Sequence, residues 1–391
     1  MCYRLVEVNS AVTRKAFLSL PIGLYRGNPN WIRPLDRDIE SVFNPKTNKL
    51  FRNGEAVRWL LRDENGKTVG RVAAFIDYSS SHKQAQPIGG MGFFECINSQ
   101  SAANTLFDSC RSWLSQRGVV GMEGPVNFGE RDRWWGLHVE GDSPPNYCMG
   151  YHMPYYQSLF ESYGFAIYYR QLTFHRHINA ENVDPIIWEK AKRIAQIPEY
   201  HIENISKKNI GRYAVAFQEI YNKAWKHFPG FKPIAIAHAF ALLKRIKPIL
   251  DEKLILFAFH NDTPVGFLIM LPELNQVVKH LNGKLNLYSK LKMLYLLKVK
   301  RVCTKALGII YGTVPEHQGK GLEGALINRL AGYALKPDFQ YKELEMNWIG
   351  DFNPGMIRII EQVGGRVCKV HHTYRYMFDR TKGVERHKLV S

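Results

Sequence analysis

The chain has 391 residues, of which 45% are apolar, so it exceeds one ordinary domain and predicts two domains of roughly 170 to 210 residues. Its 53 lysines and arginines face 35 acidic residues, and a formal net charge of +18 calls for an anionic partner such as a phosphate-rich cofactor, nucleic acid or an anionic membrane. No stretch approaches the roughly 18 consecutive apolar residues of a membrane-spanning helix, and the N-terminus lacks a signal peptide, so we expect a soluble protein.

The six cysteines lie far apart in the sequence, with no Cys-x-x-Cys pair and no histidine at metal-ligand spacing. We therefore expect reduced, mostly buried thiols, no disulfide and no metal site. Reduced cysteines are typical of a cytoplasmic protein, which is the predicted location.

The N-terminal half predicts strands and helices in alternation. Its clearest turn is Asn65-Gly66, because an Asn-Gly pair readily adopts the positive φ angles of a tight hairpin. A predicted helix at 101–116 carries Leu106, Cys110, Trp113 and Leu114 on one side. The elements of this half are, in order, a strand at 1–8, a helix at 13–25, hairpin strands at 56–61 and 68–76, a polar loop at 79–86, a strand at 91–96, the helix at 101–116, a strand at 119–122, a helix at 155–163 and a strand at 165–174.

The C-terminal half repeats this order, which predicts two copies of one mixed fold of strands and helices. Its predicted elements are a strand at 200–205, helices at 210–225 and 235–250, hairpin strands at 254–259 and 265–271, a strand leading into a glycine-rich loop and a helix, a strand at 343–348, a helix at 354–363 and a strand at 365–378.

The glycine-rich loop is the segment that points most directly to a ligand. Gly319, Gly321 and Gly324 let backbone N–H groups approach a ligand without hindrance from side chains, at the positive end of the following helix. Lys320 adds a positive charge. The loop therefore predicts a site for a phosphate or another anion.

The segment Val314-Pro315-Glu316-His317-Gln318-Gly319-Lys320-Gly321-Leu322 resembles the acyl-CoA loop of the GNAT-type N-acyltransferases, which binds the CoA pyrophosphate through backbone amides. In the chain, Glu323 stands where this family usually has Gly or Ala. The segment at 97–100 of the N-terminal half has no such glycines, so that copy is not expected to bind CoA. The CoA-binding residues that the resemblance implies are Val314, Gln318, Gly319, Lys320, Gly321, Gly324 and Asn353.

This resemblance implies an α+β (mixed α/β) protein of two tandem GNAT-like acyl-CoA N-acyltransferase domains. Residues 1–180 would form a degenerate domain on the acceptor side, and residues 181–391 the domain that binds acetyl-CoA or a longer acyl-CoA as co-substrate.

Two residues are candidates for the chemistry. Glu345, on the strand at 343–348, is the expected general base, and the alternative is a solvated carboxylate on an edge strand. Tyr374, on the closing strand, is the expected acid that protonates the CoA thiolate. Asn353 has an alternative as a simple helix N-cap, because it precedes Pro354.

A long glycine-rich and aromatic segment after residue 122 is the expected acceptor site, since a loop of this length in a compact domain is usually functional. Its Gly-Pro-x-Asn-Phe, its later Pro-Pro and the following Pro-Tyr-Tyr resemble uncharacterised tandem GNAT-like proteins of bacteria, a group related to the bacterial ceramide synthases. The predicted acceptor-binding residues are Asn127, Trp134, Trp135 and Tyr155.

The favoured function is direct transfer of an acyl group from acyl-CoA to an amine, and a lipid or long-chain amine is one expected acceptor. Two alternatives stay open: a Fem-type aminoacyl transferase that uses aminoacyl-tRNA and would suit the basic charge, and a degenerate GNAT protein that binds CoA without catalysis.

The basic charge is concentrated, because residues 274–315 contain no acidic residue. Within 281–302, Leu287, Leu291, Leu294 and Tyr295 recur at helical spacing among lysines, which predicts a helix resting on anionic lipid at the inner face of the membrane. The alternative is a helix packed into the core, with its lysines solvated or facing CoA phosphates.

Overall fold

One continuous sheet of thirteen strands runs through the described part of the chain, residues 3–81, 86–226 and 231–389 of a computed structural model. The strands are β1 (Arg4–Glu7), β2 (Gly54–Arg62), β3 (Thr68–Asp77), β4 (Ile88–Cys96), β5 (Gly121–Gly124), β6 (Leu137–Glu140), β7 (Ala166–His177), β8 (Tyr200–Asn204), β9 (Ile255–His260), β10 (Thr263–Pro272), β11 (Lys305–Thr313), β12 (Glu343–Gly350) and β13 (Arg366–Met377).

Helices connect these strands and cover the sheet. They are α1 (Ala11–Leu24), α2 (Asp36–Val42), α3 (Tyr78–Ser81), α4 (Gln100–Ser115), α5 (Tyr155–Tyr163), α6 (Pro185–Ala195), α7 (Ile210–Ala224), α8 (Ile236–Ile246), α9 (Asn275–Val278), α10 (Leu287–Lys298), α11 (Leu322–Ala334) and α12 (Pro354–Gln362). No helix within the described ranges combines the length and the apolar character needed to cross a membrane.

The two halves exchange their last strands. Along the sheet the order is β1-β2-β3-β4-β5-β13-β7-β12-β11-β10-β9-β8, and β6 also pairs with β13. Thus β13, from the end of the chain, lies between β5 and β7, while β7 pairs with β12. Each half therefore completes its sheet with a strand of the other, so the halves are held together by main-chain hydrogen bonds as well as by side-chain packing.

The predicted order of elements is confirmed, with ends shifted by a few residues. Five elements were not predicted: α2, α3, α6, α9 and the short strand β6, which lies inside the segment that the sequence predicted as one long loop. The strand β6 has four residues, which are too few for a periodic pattern to be recognised in the sequence. Residues 1–2 of the predicted first strand and residues 82–85 of the predicted polar loop lie outside the described residues.

Each half has its own main core. In the first, α4 packs on the sheet; of the predicted inward residues, Leu106, Cys110 and Leu114 are fully buried and Trp113 is partly buried. In the second, α7, α8 and α11 surround Phe257 and Phe267. A third core lies beneath α9 and α10, and a fourth beneath α1 and α2.

Candidate active site

β11 and β12 separate partway along their length and leave a cavity between them. Their parallel pairing ends with Gly308 opposite Met346, although the strands continue to Thr313 and Gly350. A cavity of about 770 Å³ occupies this opening. Its volume is typical of pockets that hold small molecules or cofactors.

The cavity is mainly apolar. α11 contributes Leu326 and Leu330, α12 contributes Met356 and Ile359, and β10 contributes Leu268. Such a surface favours a flexible hydrocarbon chain, because each buried methylene group contributes roughly 0.8 kcal/mol to binding.

The N-terminus of α11 forms a polar edge of the cavity. Gly319 and Gly321 have φ angles of 69° and 98°, in the region that glycine adopts without strain. Within the described chain, no backbone N–H from Gly319 to Gly324 donates a hydrogen bond to another residue. Unpartnered amides at the positive end of a 13-residue helix form a ready-made site for an anion.

The unpredicted helix α6 packs against this loop and adds positive charge. Lys190 forms an ion pair of 2.9 Å with Glu323, and Arg193 donates a hydrogen bond to the carbonyl of Lys320. The unusual glutamate is thus neutralised by a neighbouring lysine. Gly324 has a packing reason to be glycine, since a Cβ there would lie 2.5 Å from the carbonyl oxygen of Ile187.

The other predicted CoA residues lie around the same opening. Gln318 lines the cavity and donates a hydrogen bond from its amide to the carbonyl of Thr313. Val314 is buried and anchors the strand end through its amide and the carbonyl of Val265. Asn353 lines the cavity and also caps α12, because its side chain accepts the amide of Met356. Both interpretations of Asn353 are therefore compatible with the structure.

Glu345 is not an edge-strand carboxylate, because β12 is paired on both sides and Glu345 is 1% exposed. Its two oxygens accept hydrogen bonds from Lys305 and Lys369. Burial acts to raise the pKa of Glu345, but the two lysines outweigh it, so that the pKa lies below its ordinary value. A carboxylate held this way is a weak base, and it does not line the cavity.

Tyr374 lies in the core of the N-terminal half rather than beside the cavity. Its hydroxyl donates to Glu161 at 2.9 Å, and His372 lies within 3.2 Å. The strand exchange is the physical reason, since β13 pairs with β5 and carries Tyr374 opposite Gly124. Tyr374 therefore lies in the first core and not among the residues that line the cavity beside the α11 loop.

Tyr311 is a cavity residue that the sequence did not single out. It is the one tyrosine in the cavity lining of the described chain, and its hydroxyl lies 2.8 Å from that of Thr313. Burial raises the pKa of Tyr311, so the hydroxyl stays protonated near neutral pH. The only early signal was its place on the strand that leads into the loop.

Glu273 is a second residue that the sequence missed. One carboxylate oxygen accepts the amides of Tyr147 and Asn275, while the other has no hydrogen-bond partner among the described residues. Burial, with a contribution from the charge of Glu345, raises the pKa of Glu273 to about 7. Through its hydrogen bond with the amide of Tyr147, this carboxyl group connects the long segment of the N-terminal half to the end of β10.

Comparison with known proteins agrees with this architecture. No family model matches the chain. It is 28% identical to the bacterial ceramide synthase of Caulobacter vibrioides (strain NA1000 / CB15N) over 377 residues, which cover 94% of this chain and 96% of that protein. It is also 28% identical to protein YghO of Escherichia coli (strain K12) over 368 residues, covering 92% of each.

Among solved structures, a tandem GNAT protein from the clavulanic acid biosynthesis pathway aligns with a TM-score of 0.55 at 12% identity, over 96% of this chain and 99% of that one. The chain has the tandem GNAT fold. A GCN5-related glucosamine N-acetyltransferase region of a fungal β-N-acetylglucosaminidase also aligns with a TM-score of 0.55 at 13% identity, over 96% of this chain and 38% of the other. The resemblance predicted from the sequence is confirmed.

Among its described residues, the N-terminal GNAT unit shows no open cleft between its own parallel strands, β4 and β5. After β5 ends, the amide of Val126 donates to the carbonyl of Met91 on β4. A side chain at Gly92 would overlap the carbonyl of Val126. The chain itself thus fills the position that the cavity occupies in the C-terminal GNAT unit.

The predicted acceptor residues divide into two groups. Asn127 and Trp135 are buried in the long segment, and the Trp135 indole donates to Tyr169 at 2.7 Å. Trp134 lines a smaller pocket of about 60 Å³ in the same half. Tyr155 lies apart from them at the start of α5, where its hydroxyl donates to the carbonyl of Cys96.

The long segment nevertheless reaches the wall of the main cavity. The indole of Trp348, a cavity residue, donates to the carbonyl of Arg131 at 3.2 Å. Asn146 lies 3.5 Å from Asn347, which also lines the cavity. The two GNAT units therefore meet at one side of the cavity.

Proposed function

We propose that the protein is an N-acyltransferase that moves an acyl group from acyl-CoA directly to an amine. The observation that carries this proposal is the apolar cavity between β11 and β12 with unpartnered amides of the α11 N-terminus at its edge. The anion site matches the phosphates of acyl-CoA, and the apolar cavity matches its acyl chain. The tandem GNAT fold and the name of the Caulobacter relative support the same class of reaction.

The α11 loop would hold the pyrophosphate through the amides of Gly319 to Gly324, with Arg193 and Lys320 supplying positive charge around it and Lys190 offsetting the charge of Glu323. Pantetheine would lie in the opening between the strands, near Asn353. Bound acyl-CoA supplies an activated thioester, so the amine can attack it without a covalent enzyme intermediate.

The residues of the cavity would exclude water and handle protons. The leaving thiolate needs a proton, and we assign this donor role to Tyr311, which lines the cavity; the proton that the attacking amine loses then restores the Tyr311 hydroxyl. Glu345 and Tyr374 have no contact with the cavity, so we give neither of them a step in the transfer. We assign no residue as general base.

The acceptor that fits the surroundings best is a lipid or long-chain amine. A cavity of about 770 Å³ with mainly apolar walls has room for more than an acetyl group. The Caulobacter relative is named a ceramide synthase. The acceptor would approach from the side where Arg131 and Asn146 of the N-terminal unit touch Trp348 and Asn347. We propose that residues 1–180 serve the acceptor and residues 181–391 bind CoA, in the cytoplasm or at the inner face of the membrane.

A binding panel tests this proposal. Acetyl-CoA, palmitoyl-CoA, free CoA and aminoacyl-tRNA are titrated separately by calorimetry, and release of free CoA is then followed with sphingoid and short amines. We expect palmitoyl-CoA to bind more tightly than acetyl-CoA, because its chain would fill the apolar cavity. Binding of aminoacyl-tRNA without binding of any acyl-CoA would refute the proposal and favour a Fem-type transferase. Binding of acyl-CoA without turnover on any amine would favour a non-catalytic CoA-binding protein.

A further inference from the structure

One face of helix α10 presents apolar side chains to solvent. Leu287, Tyr288, Leu291, Leu294, Tyr295 and Val299 are between 43% and 74% exposed. The sequence pattern allowed a helix buried in the core, but the structure turns the predicted stripe outward. Contiguous exposed apolar side chains of this size mark a surface that meets a partner.

The surroundings of this face are positively charged. Residues 274–315 contain no acidic residue. Exposed cations precede the helix, lie on it and follow it, and none of them forms an ion pair with another described residue. They are Lys279, Lys284, Lys290, Lys298, Lys300 and Arg301.

The opposite side of α10 lies over the wall of the main cavity. Leu297, Met293 and Leu296 pack into the third core, together with residues that also line the cavity. Among these shared residues are Leu268, Met270, Leu330, Phe339 and Leu344. A surface bound by α10 would therefore lie close to the cavity in which the hydrocarbon chain is proposed to bind.

We propose that α10 and its flanking lysines dock the protein on an anionic bilayer, with the leucines and tyrosines inserted at the level of the lipid headgroups. This inference rests on the proposed function, because the bilayer would supply the long-chain substrate to the cavity. The positive charge of the α10 face favours anionic lipid as the partner, because anionic lipid complements that charge. A second copy of this chain would bring a like-charged face to the interface. Exposed leucines favour a bilayer over nucleic acid.

Sedimentation with vesicles tests the proposal on the full chain. Vesicles of phosphatidylcholine alone are compared with vesicles that also contain phosphatidylglycerol, at low and at high salt. We expect binding to the anionic vesicles that weakens with salt. Lys290→Gln with Lys300→Gln should lower the partition coefficient about 25-fold, at roughly fivefold for each basic residue. Leu287→Ser with Leu291→Ser should lower it by about 100-fold, on the order of tenfold for each leucine.

Matched controls lie on other elements of the chain. Val12 on α1 is 74% exposed, as is Leu287, so Val12→Ser should leave vesicle binding unchanged. Lys46→Gln with Lys67→Gln removes the same charge from exposed loops of the N-terminal half. If the controls lose as much binding as the α10 variants, the attraction is a general effect of net charge and the proposal fails.

The same proteins distinguish this inference from the proposed function. Calorimetry with acetyl-CoA needs no membrane, and its affinity should be unchanged in all α10 variants. A wild-type protein that binds acyl-CoA but stays in the supernatant with both vesicles would overturn the docking surface alone. One that binds vesicles but no acyl-CoA would refute the proposed function instead. A wild-type dimer that Leu287→Ser with Leu291→Ser converts to monomers would show that a second copy covers α10, and would overturn the proposal.

Discussion

The buried carboxyl group of Glu273 is expected to make the free energy of unfolding depend on pH, and this contribution can be measured at a single residue. Its side chain is 3% exposed, and burial with the nearby charge of Glu345 raises its pKa from an ordinary value of 4.5 to about 7. Because the folded state holds the proton more tightly than the unfolded state, the contribution of Glu273 is fully present below about pH 4.5. It is lost as the pH rises through about 7. Glu273→Gln keeps the shape and removes the titration.

The size of the effect follows from the two pKa values. At about 1.4 kcal/mol for each pH unit between them, the ionised carboxylate lowers the free energy of unfolding by roughly 3 kcal/mol at alkaline pH. About 2.5 kcal/mol of this appears between pH 5 and pH 9. Any constant cost of the amide group cancels, because only the change with pH is compared.

The assay is chemical denaturation of wild type and Glu273→Gln at pH 5, 7 and 9. We expect the variant to gain stability relative to wild type as the pH rises. Glu345→Gln serves as the contrasting variant, since it leaves the buried Lys369 without its carboxylate and should lose about 3 to 5 kcal/mol. Parallel stability curves for wild type and Glu273→Gln between pH 5 and pH 9 would refute the reasoning.

Three further predictions concern the cavity. Tyr311→Phe should lower turnover by about 10² or more, with little change in acyl-CoA affinity. Tyr374→Phe should leave turnover near wild type and lower the free energy of unfolding by about 1 kcal/mol. Steady-state kinetics that show the reverse would return the acid role to Tyr374. Lys190→Ala should weaken CoA binding about tenfold, because Glu323 then repels the phosphates. Lys192→Ala, on the exposed side of α6, is the control and should leave the CoA affinity measured by calorimetry unchanged. Ala331→Phe should shorten the longest acyl chain accepted, since Ala331 lines the apolar part of the cavity, and an unchanged chain-length profile would place the acyl chain elsewhere.

The order of elements could be predicted because the signals are local. Apolar periodicity, the Asn65-Gly66 turn and the glycines before α11 act within a few residues, so they specify strands, turns and helix ends wherever the segment lies in the fold. The repeat of that order in the two halves predicted the tandem GNAT fold. The outward stripe of α10 was also visible in the sequence, but its exposure depended on which neighbours cover the helix.

Partner choice among strands was decided by the tertiary structure alone. Both halves offer an alternating closing strand of similar length, and nothing local states whether β13 pairs with β12 or with β5. The exchange moved Tyr374 into the first core and left Tyr311 as the tyrosine of the cavity.

The environment of each candidate carboxylate was likewise decided by residues distant in sequence. Glu345 meets Lys305 and Lys369, and Glu273 meets the amide of Tyr147, only once the sheet is assembled. A pKa depends on burial and on charges within a few ångströms. The sequence by itself determined which groups can titrate and which loop can bind an anion. The tertiary structure decided which of these groups face the cavity, because their distances and burial arise only when strands from both halves pair.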